Sequence, residues 1–579
     1  YSALVNVAAK QRRGANFPLA AQRSVPPLTV PLSLIIWRMR TARAVGCHMA
    51  WDLIDYLYCL YLEPMPTARY HGPLVAAIVL LLYAGTLDNA LVFDDRAAIA
   101  DNPVVHRGDP GEIFTADYWA GYHADRSGLY RPLTTLSYAL QYRWFGATPY
   151  SYHLVNILLH ALAALLLYRL VCDLLSDATP ALYAALLFAV HPALSEAVCA
   201  AVGRADLLAA ALVMAALILH LRGQTTPAGL AYLAALLCKE SAIVAPALLL
   251  LVDVFQYRTF SQKRYSRPYL FYGALTLAYL SWRYYVLGAF GPADIDGLDN
   301  PLAALAPSLR LLNALVILGR YLGLLALPTH LSADYSHAAL PLAPQFFSWS
   351  LALVCAGSML VALVLYYTWH RRPWACCGLA WTLLALVPVA NILLPIGTIM
   401  AERLLYLPAM GFCFALAVLL HKMPRGVLIV LLALLSLHTT VRVDDWQDDH
   451  ALFASAVAAY PQSARAWHAL GKAHLERGEN QQGRQAFDQA LAIFPNYYEV
   501  YNDLGAYHLE RGEYQRALGN LEAALRIDRK HPPTWLNLGL AFYHLQRHTE
   551  ARQAFAQALR LSPDYSQARH NLALLDAQK

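Results

Sequence analysis

The chain has 579 residues, of which 58% are hydrophobic and 14% charged, with a net charge of +6. Soluble proteins average about 45–50% apolar and about 25% charged, so one soluble domain is excluded. The small net charge, with no Lys/Arg cluster interleaved with aromatics, also argues against a nucleic-acid groove.

The charge is uneven. Residues 73–441 contain long stretches with almost none, whereas 444–579 are charged like an ordinary soluble protein, and this shift marks the main domain boundary. Residues 1–70 start at Tyr1 and form an atypical basic, irregular extension (Lys10, Arg12, Arg13, Arg23, Arg38, Arg40, Arg43, Arg69). It reads as an extended or misassigned start, and no function is given to it.

A bilayer core takes about 20 apolar helical residues per crossing. Spans are expected over 73–92, 152–172, 180–201, 205–222, 268–288, 347–369, 374–396, 402–420 and 425–441. Basic loops at Arg258–Arg267, Arg371–Arg372 and Lys422–Arg425 belong in the cytoplasm. Keeping all three there makes 228–255 a hairpin of two short helices turning at Lys239–Glu240. It also makes 305–328, with Arg310, Asn313 and Arg320, interfacial or re-entrant. About eleven crossings result, with loop 93–151 and the C-terminal part outside. Cysteines Cys172, Cys199, Cys238, Cys355, Cys376, Cys377 and Cys413 lie in or beside apolar runs and read as small hydrophobes, not a disulfide framework.

The C-terminal part repeats every 34 residues, the period of tetratricopeptide helix–turn–helix units. Trp467, Tyr501 and Trp535 share a register, as do Gly471, Gly505 and Gly539, and Phe487, Leu521 and Phe555. Three full repeats start near 464, flanked by half-repeats at 443–460 and 569–576. One repeat cannot bury its own face, so the units stack into a solenoid.

Candidate chemistry begins at Asp94–Asp95, an acidic pair just after the first span. One carboxylate could take the proton of an attacking hydroxyl, and the other could orient it or hold a weak divalent ion. The plainer alternative is interfacial solvation or pairing with Arg96. Ionisable groups within spans are expensive and face cavities or partners. Such groups recur at His191, Glu196, Arg204 and Asp206, at Lys239 and Glu240, and at Glu402 and Arg403. His153, Asn156 and His160 form one helical stripe, better read as buried hydrogen bonding. Arg131, Arg204, Lys239 and Arg403 converging outside would suit a phosphate. Asp503, Asn537 and Asn571 recur at the repeat period, and a peptide-binding ladder on the concave face is expected from them, although the first repeat has Ala469 there.

The ordered segments VFDDRAAIADNPVV (92–105), YRPLT (130–134), FAVHPALSEAV (188–198), GRADLL (203–208), CKES (238–241), LSADYS (331–336) and AERLLYLP (401–408) resemble the transmembrane, tetratricopeptide-repeat O-mannosyltransferases that modify cadherins in animals, and their bacterial relatives. The resemblance covers residue 73 to the C-terminus. It implies an all-α protein: a GT-C-like transmembrane glycosyltransferase domain over 71–442 and an extracytoplasmic repeat array over 443–579. It further implies an inverting transferase using a polyprenyl- or dolichyl-phosphate sugar, mannose first, with Ser or Thr of a protein as acceptor. Asp94 matches the family's leading acidic position, and Asp95 its partner. On charge and position, Arg131, Arg204, Lys239 and Arg403 would receive the phosphate. His191, Glu196, Asp206, Glu240 and Glu402 would support them. No metal or cofactor is assigned. A bacterial inner membrane is expected, or the endoplasmic reticulum in a eukaryote. A membrane-anchored repeat scaffold and a GT-C enzyme with a lipid or glycan acceptor are the rival readings.

Overall fold

The computed structural model describes residues 68–120, 128–257, 262–289 and 295–577, with 262–266 described by backbone alone. The extension expected over 1–70 therefore lies outside the described residues except for Ala68–Tyr70. Every described element is helical, and no strand forms among them.

Seven helices are long and apolar enough to cross a membrane: Pro149–Leu175, Ala201–Leu221, Glu240–Tyr257, Pro307–Ala326, Trp349–Arg371, Glu402–Leu420 and Arg425–Asp445. The pair Ala178–Ala189 and Pro192–Cys199 passes the same test together but is bent by 59°, the form of a broken span or a re-entrant loop. Pro192 explains the bend, because it lacks the N–H that would continue the helix. The chain is thus a multi-pass membrane protein. Leu353, Leu360, Leu363, Ile429, Leu434 and Leu437 stand exposed on the bundle, as lipid-facing side chains do.

Two expected spans come out shorter. The first is only His71–Leu82, continuing as a 3-10 turn over Ala84–Asp88. The span expected over 374–396 stops at Leu386. Pro388 disfavours helix at the residue before it, and the irregular segment beyond is held by Asn391, which donates to the Thr398 and Ile399 carbonyls. The break expected within 228–255 is present: Thr225–Cys238 leads into extended Lys239 and then a 3-10 turn over Glu240–Val244, from which Glu240–Tyr257 runs on as a full-length candidate span. The 268–288 segment is part of a longer helix, Gln262–Leu287, which is not among the seven.

Pro307–Ala326, expected to be interfacial or re-entrant, instead passes as a span on length and apolarity. Asn300, just before it, donates to Asn391 and to the Ile396 carbonyl. The Leu325 carbonyl near its last turn lies 2.9 Å from His191 Nε2. Small residues set the closest packing in the bundle. An added Cβ on Gly378 would stand 2.6 Å from the Gly411 carbonyl oxygen, and the converse distance is 2.7 Å. Backbones approaching this closely gain dispersion contact where lipid supplies no hydrophobic drive.

The Arg425–Asp445 helix runs straight toward the solenoid. Asp449–Ala459 leads it, and three pairs follow: Ala464–Glu476 with Asn480–Ile493, Tyr498–Glu510 with Tyr514–Ile527, and Pro532–His544 with His548–Leu561. Ser566–Ala577 closes it. The small-to-large register is seen directly. A Cβ on Gly471, Gly505 or Gly539 would collide with Phe487, Leu521 or Phe555 respectively.

The solenoid is fastened to the extramembrane loops. Ser463 donates to Asp334 (2.6 Å), Arg465 pairs with Asp299, and Leu298 joins the apolar cluster of Phe487, Tyr497 and Val500.

Candidate functional site

The segment after the first helix is pinned to the solenoid. Ala90 N–H donates to the Gln447 carbonyl (3.0 Å). Phe93 has φ of 51°, a left-handed conformation that strains a bulky residue. Its N–H donates to Asp449 (2.8 Å), and its ring packs edge-on against Phe453 (5.3 Å between centroids). These contacts from the leading helix Asp449–Ala459 hold the turn that presents the acidic pair. Neither Asp449 nor Phe93 had a signal in the sequence.

The two carboxylates then part ways. Asp95 is 0% exposed and accepts from Val202 N–H (2.8 Å) and Val92 N–H (3.4 Å). Asp94 is partly exposed and makes no hydrogen bond or ion pair with another described residue. It is close enough to Arg403 to interact electrostatically. Arg96, the plain pairing candidate, bridges instead to Asp449 (3.4 Å) and Glu476 (3.4 Å).

Burial lifts the Asp95 carboxyl from its ordinary 3.8 to about 7; the backbone donors oppose the rise and nearby Asp94 adds to it. A carboxyl raised in the folded state stabilises while it is protonated. Its contribution is intact below the ordinary value and is lost as pH climbs to the raised one. Thermal unfolding of the whole chain across about pH 4 to 7 should therefore show a downward leg that Asp95→Asn flattens. An unchanged leg in that variant would assign it to another group.

Three of the four predicted cations come together, Arg403 among them within reach of Asp94, each tied to a carboxylate from a different segment. Arg131 grips Glu240 with two bonds (3.0 and 2.6 Å). Lys239 Nζ lies 2.6 Å from both oxygens of Asp206. Arg403 reaches Glu196 through Nη1 (2.6 Å) and its own N–H (2.8 Å). The pairs leave donors over: Nη1 of Arg131, and Nε and Nη2 of Arg403, whose side chain is 27% exposed. Charges so near one another still interact, because Arg131, Arg403 and Glu240 all act on Lys239.

Arg204 is placed apart from this set. It is 1% exposed, stacked between Tyr138 and Tyr152 (4.9 and 5.4 Å to the ring centroids), and donates to Asn156 and the Tyr152 carbonyl. The remaining polar calls are mostly framework. His191 caps the turn at Ala193 N–H, and His160 contacts Tyr406 (2.8 Å) and the Ala189 carbonyl. Asn156 donates to the Ala200 carbonyl (2.8 Å), and His153 meets the Ala90 carbonyl (3.3 Å). Glu402 is fully buried, accepting from Ser332 N–H (2.5 Å) and Tyr335 hydroxyl (2.6 Å), with Arg442 3.7 Å away. Arg442 is a missed residue. A charge at the end of the last span was its only signal.

On the solenoid, Asp503 is held by His468 (2.8 Å) and Asn502 (3.1 Å), and Asn537 donates to Asn502 (3.0 Å). Two members of the expected ladder are thus engaged within the array, whereas Asn571 is partly exposed and carries no hydrogen bond to a described residue.

Beside the Lys239–Asp206 pair lies a small recess lined by Asp206, Ser241, Val213, Val389, Leu407 and Pro408. It has room for about one water.

The tetratricopeptide-repeat family matches residues 459–530 and 502–566. Over 454 residues the chain is 29% identical to the human protein O-mannosyl-transferase TMTC3, covering 70% of this chain and 49% of that protein. It is 27% identical to human TMTC4, covering 70% of this chain and 64% of that one. Against Tmtc3 of Drosophila melanogaster the identity is 27%, covering 84% of this chain and 58% of the other. The chain spans about half the length of the first of these relatives. The likeness read from the ordered motifs is borne out in these names.

Proposed function

We propose that the chain transfers a sugar, mannose first, from a polyprenyl- or dolichyl-phosphate carrier to Ser or Thr hydroxyls of a protein. The observation that carries this reading is the Asp94 carboxylate, unpartnered among the described residues, within electrostatic reach of Arg403, which is grouped with Arg131 and Lys239. The names of the relatives supply mannose and the protein acceptor.

Asp94 accepts the acceptor hydroxyl proton as its oxygen bonds to the anomeric carbon. The bond from that carbon to the phosphate oxygen breaks on the opposite side, and the configuration inverts. The departing phosphate gains negative charge, which the spare donors of Arg403 and Arg131 face. Glu196 and Glu240 keep those guanidinium groups aimed before substrate arrives, so little reorganisation is needed during the reaction. Arg204 contributes from behind, as a fixed buried charge. The repeats, on the same side of the membrane as Asp94, present the protein acceptor.

The test uses the full chain in vesicles with a radiolabelled dolichyl-phosphate mannose and Ser/Thr-containing peptides. Label should move to peptide. Label appearing only in lipid or glycan would assign a different acceptor class, and donor left intact under all conditions would overturn the enzymatic reading.

A further inference from the structure

The leading helix of the solenoid carries His450, and the next carries His474. Together with Glu479, which precedes the third helix, they place three ligand-type side chains within 4.8 Å of one another. The two imidazoles meet edge-on, with centroids 4.8 Å apart. His474 Nδ1 lies 2.6 Å from Glu479.

Part of this is a feature of the repeat. One period later His508 Nδ1 lies 2.9 Å from Glu513 in the same way. That pair joins the end of one helix to the start of the next and needs no metal to explain it. His450 breaks the pattern. The residue 34 positions on is Arg484, so the second repeat has the His–Glu pair and no third ligand. The arrangement is also local to the joint with the catalytic loop. Asp449, adjacent to His450, holds Phe93, and Asp448 pairs with Arg477 at 2.7 Å.

We propose that His450, His474 and Glu479 form a binding site for a transition-metal dication, Zn²⁺ by ligand chemistry. Two imidazoles and one carboxylate are a borderline donor set that suits zinc and its neighbours over magnesium or calcium. Water completes a four-coordinate shell. The site is separate from the acidic pair and takes no part in sugar transfer. Its bound ion fastens the leading helix, from which Asp449 reaches the Phe93 turn, to the first repeat.

The test uses the full, tag-free chain in detergent, stripped with chelator and titrated with Co²⁺ as a visible probe. Wild type and His508→Ala should bind one Co²⁺ with the intense visible bands of a four-coordinate ion, displaced by Zn²⁺. His450→Arg, which installs the side chain the second repeat carries, should lose those bands while keeping its helical circular dichroism. Glu479→Gln gives a second variant with the same expected loss. Absence of binding by wild type overturns the proposal, as does unchanged binding by His450→Arg or Glu479→Gln.

Discussion

Asp94→Asn should lower sugar transfer by about 10²–10⁴-fold, the usual range for general-base help, while leaving the chain folded and inserted. The two neighbouring carboxylates differ in what they already do. Asp95 has both oxygens on backbone donors and no exposure, so it fixes the turn against Val202. Asp94 holds nothing together among the described residues, so its amide should cost little stability, within about 0.5 kcal/mol for such a site. Its loss should be read in the rate. Initial rates of peptide labelling, with thermal unfolding of the same preparations, separate the two. A normal rate in Asp94→Asn would remove the base assignment and leave the Arg403 neighbourhood without a proton acceptor.

The parts that could be read from the chain were those in which the signal is local. The 34-residue register of Trp467, Tyr501 and Trp535 reports packing between adjacent helices, so the solenoid followed from spacing alone. The break at Lys239–Glu240 followed from keeping the three basic loops on one side, with two charges in the middle of an apolar run. What was not legible is which charges meet. Arg131 and Glu240 are 109 residues apart, and Glu196 and Arg403 are 207 apart. Sequence can mark each as costly in a span but cannot pair them. Arg204 looks like the other cations in a linear reading. Only Tyr138 and Tyr152, from other helices, seal it away. The same holds for Asp503 and Asn537: their period is visible, but the His468 and Asn502 bonds that occupy them are not.

Lys239 gives the second large effect, and a way to tell a strut from a phosphate ligand. Its Nζ sits 2.6 Å from both Asp206 oxygens, with side-chain exposures of 4% and 8%. Removing one partner strands the other charge, at a cost of about 3–5 kcal/mol for a buried pair. Against a total of about 5–15 kcal/mol for a typical protein, Lys239→Ala should show sharply reduced folded yield in detergent. Replacing both partners by apolar side chains removes the stranded charge, and such swaps are often neutral or stabilising by about 1–4 kcal/mol. Lys239→Met with Asp206→Leu should therefore recover the folded yield. Whether transfer recovers with it is the informative result. A folded but inactive double variant means the ammonium meets the lipid-linked phosphate as well as Asp206. Full activity would make the pair a strut between the start of the Arg204–Leu221 helix and the Lys239–Glu240 break, and would leave the leaving-group charge to Arg131 and Arg403, the two cations whose spare donors the carboxylates do not use.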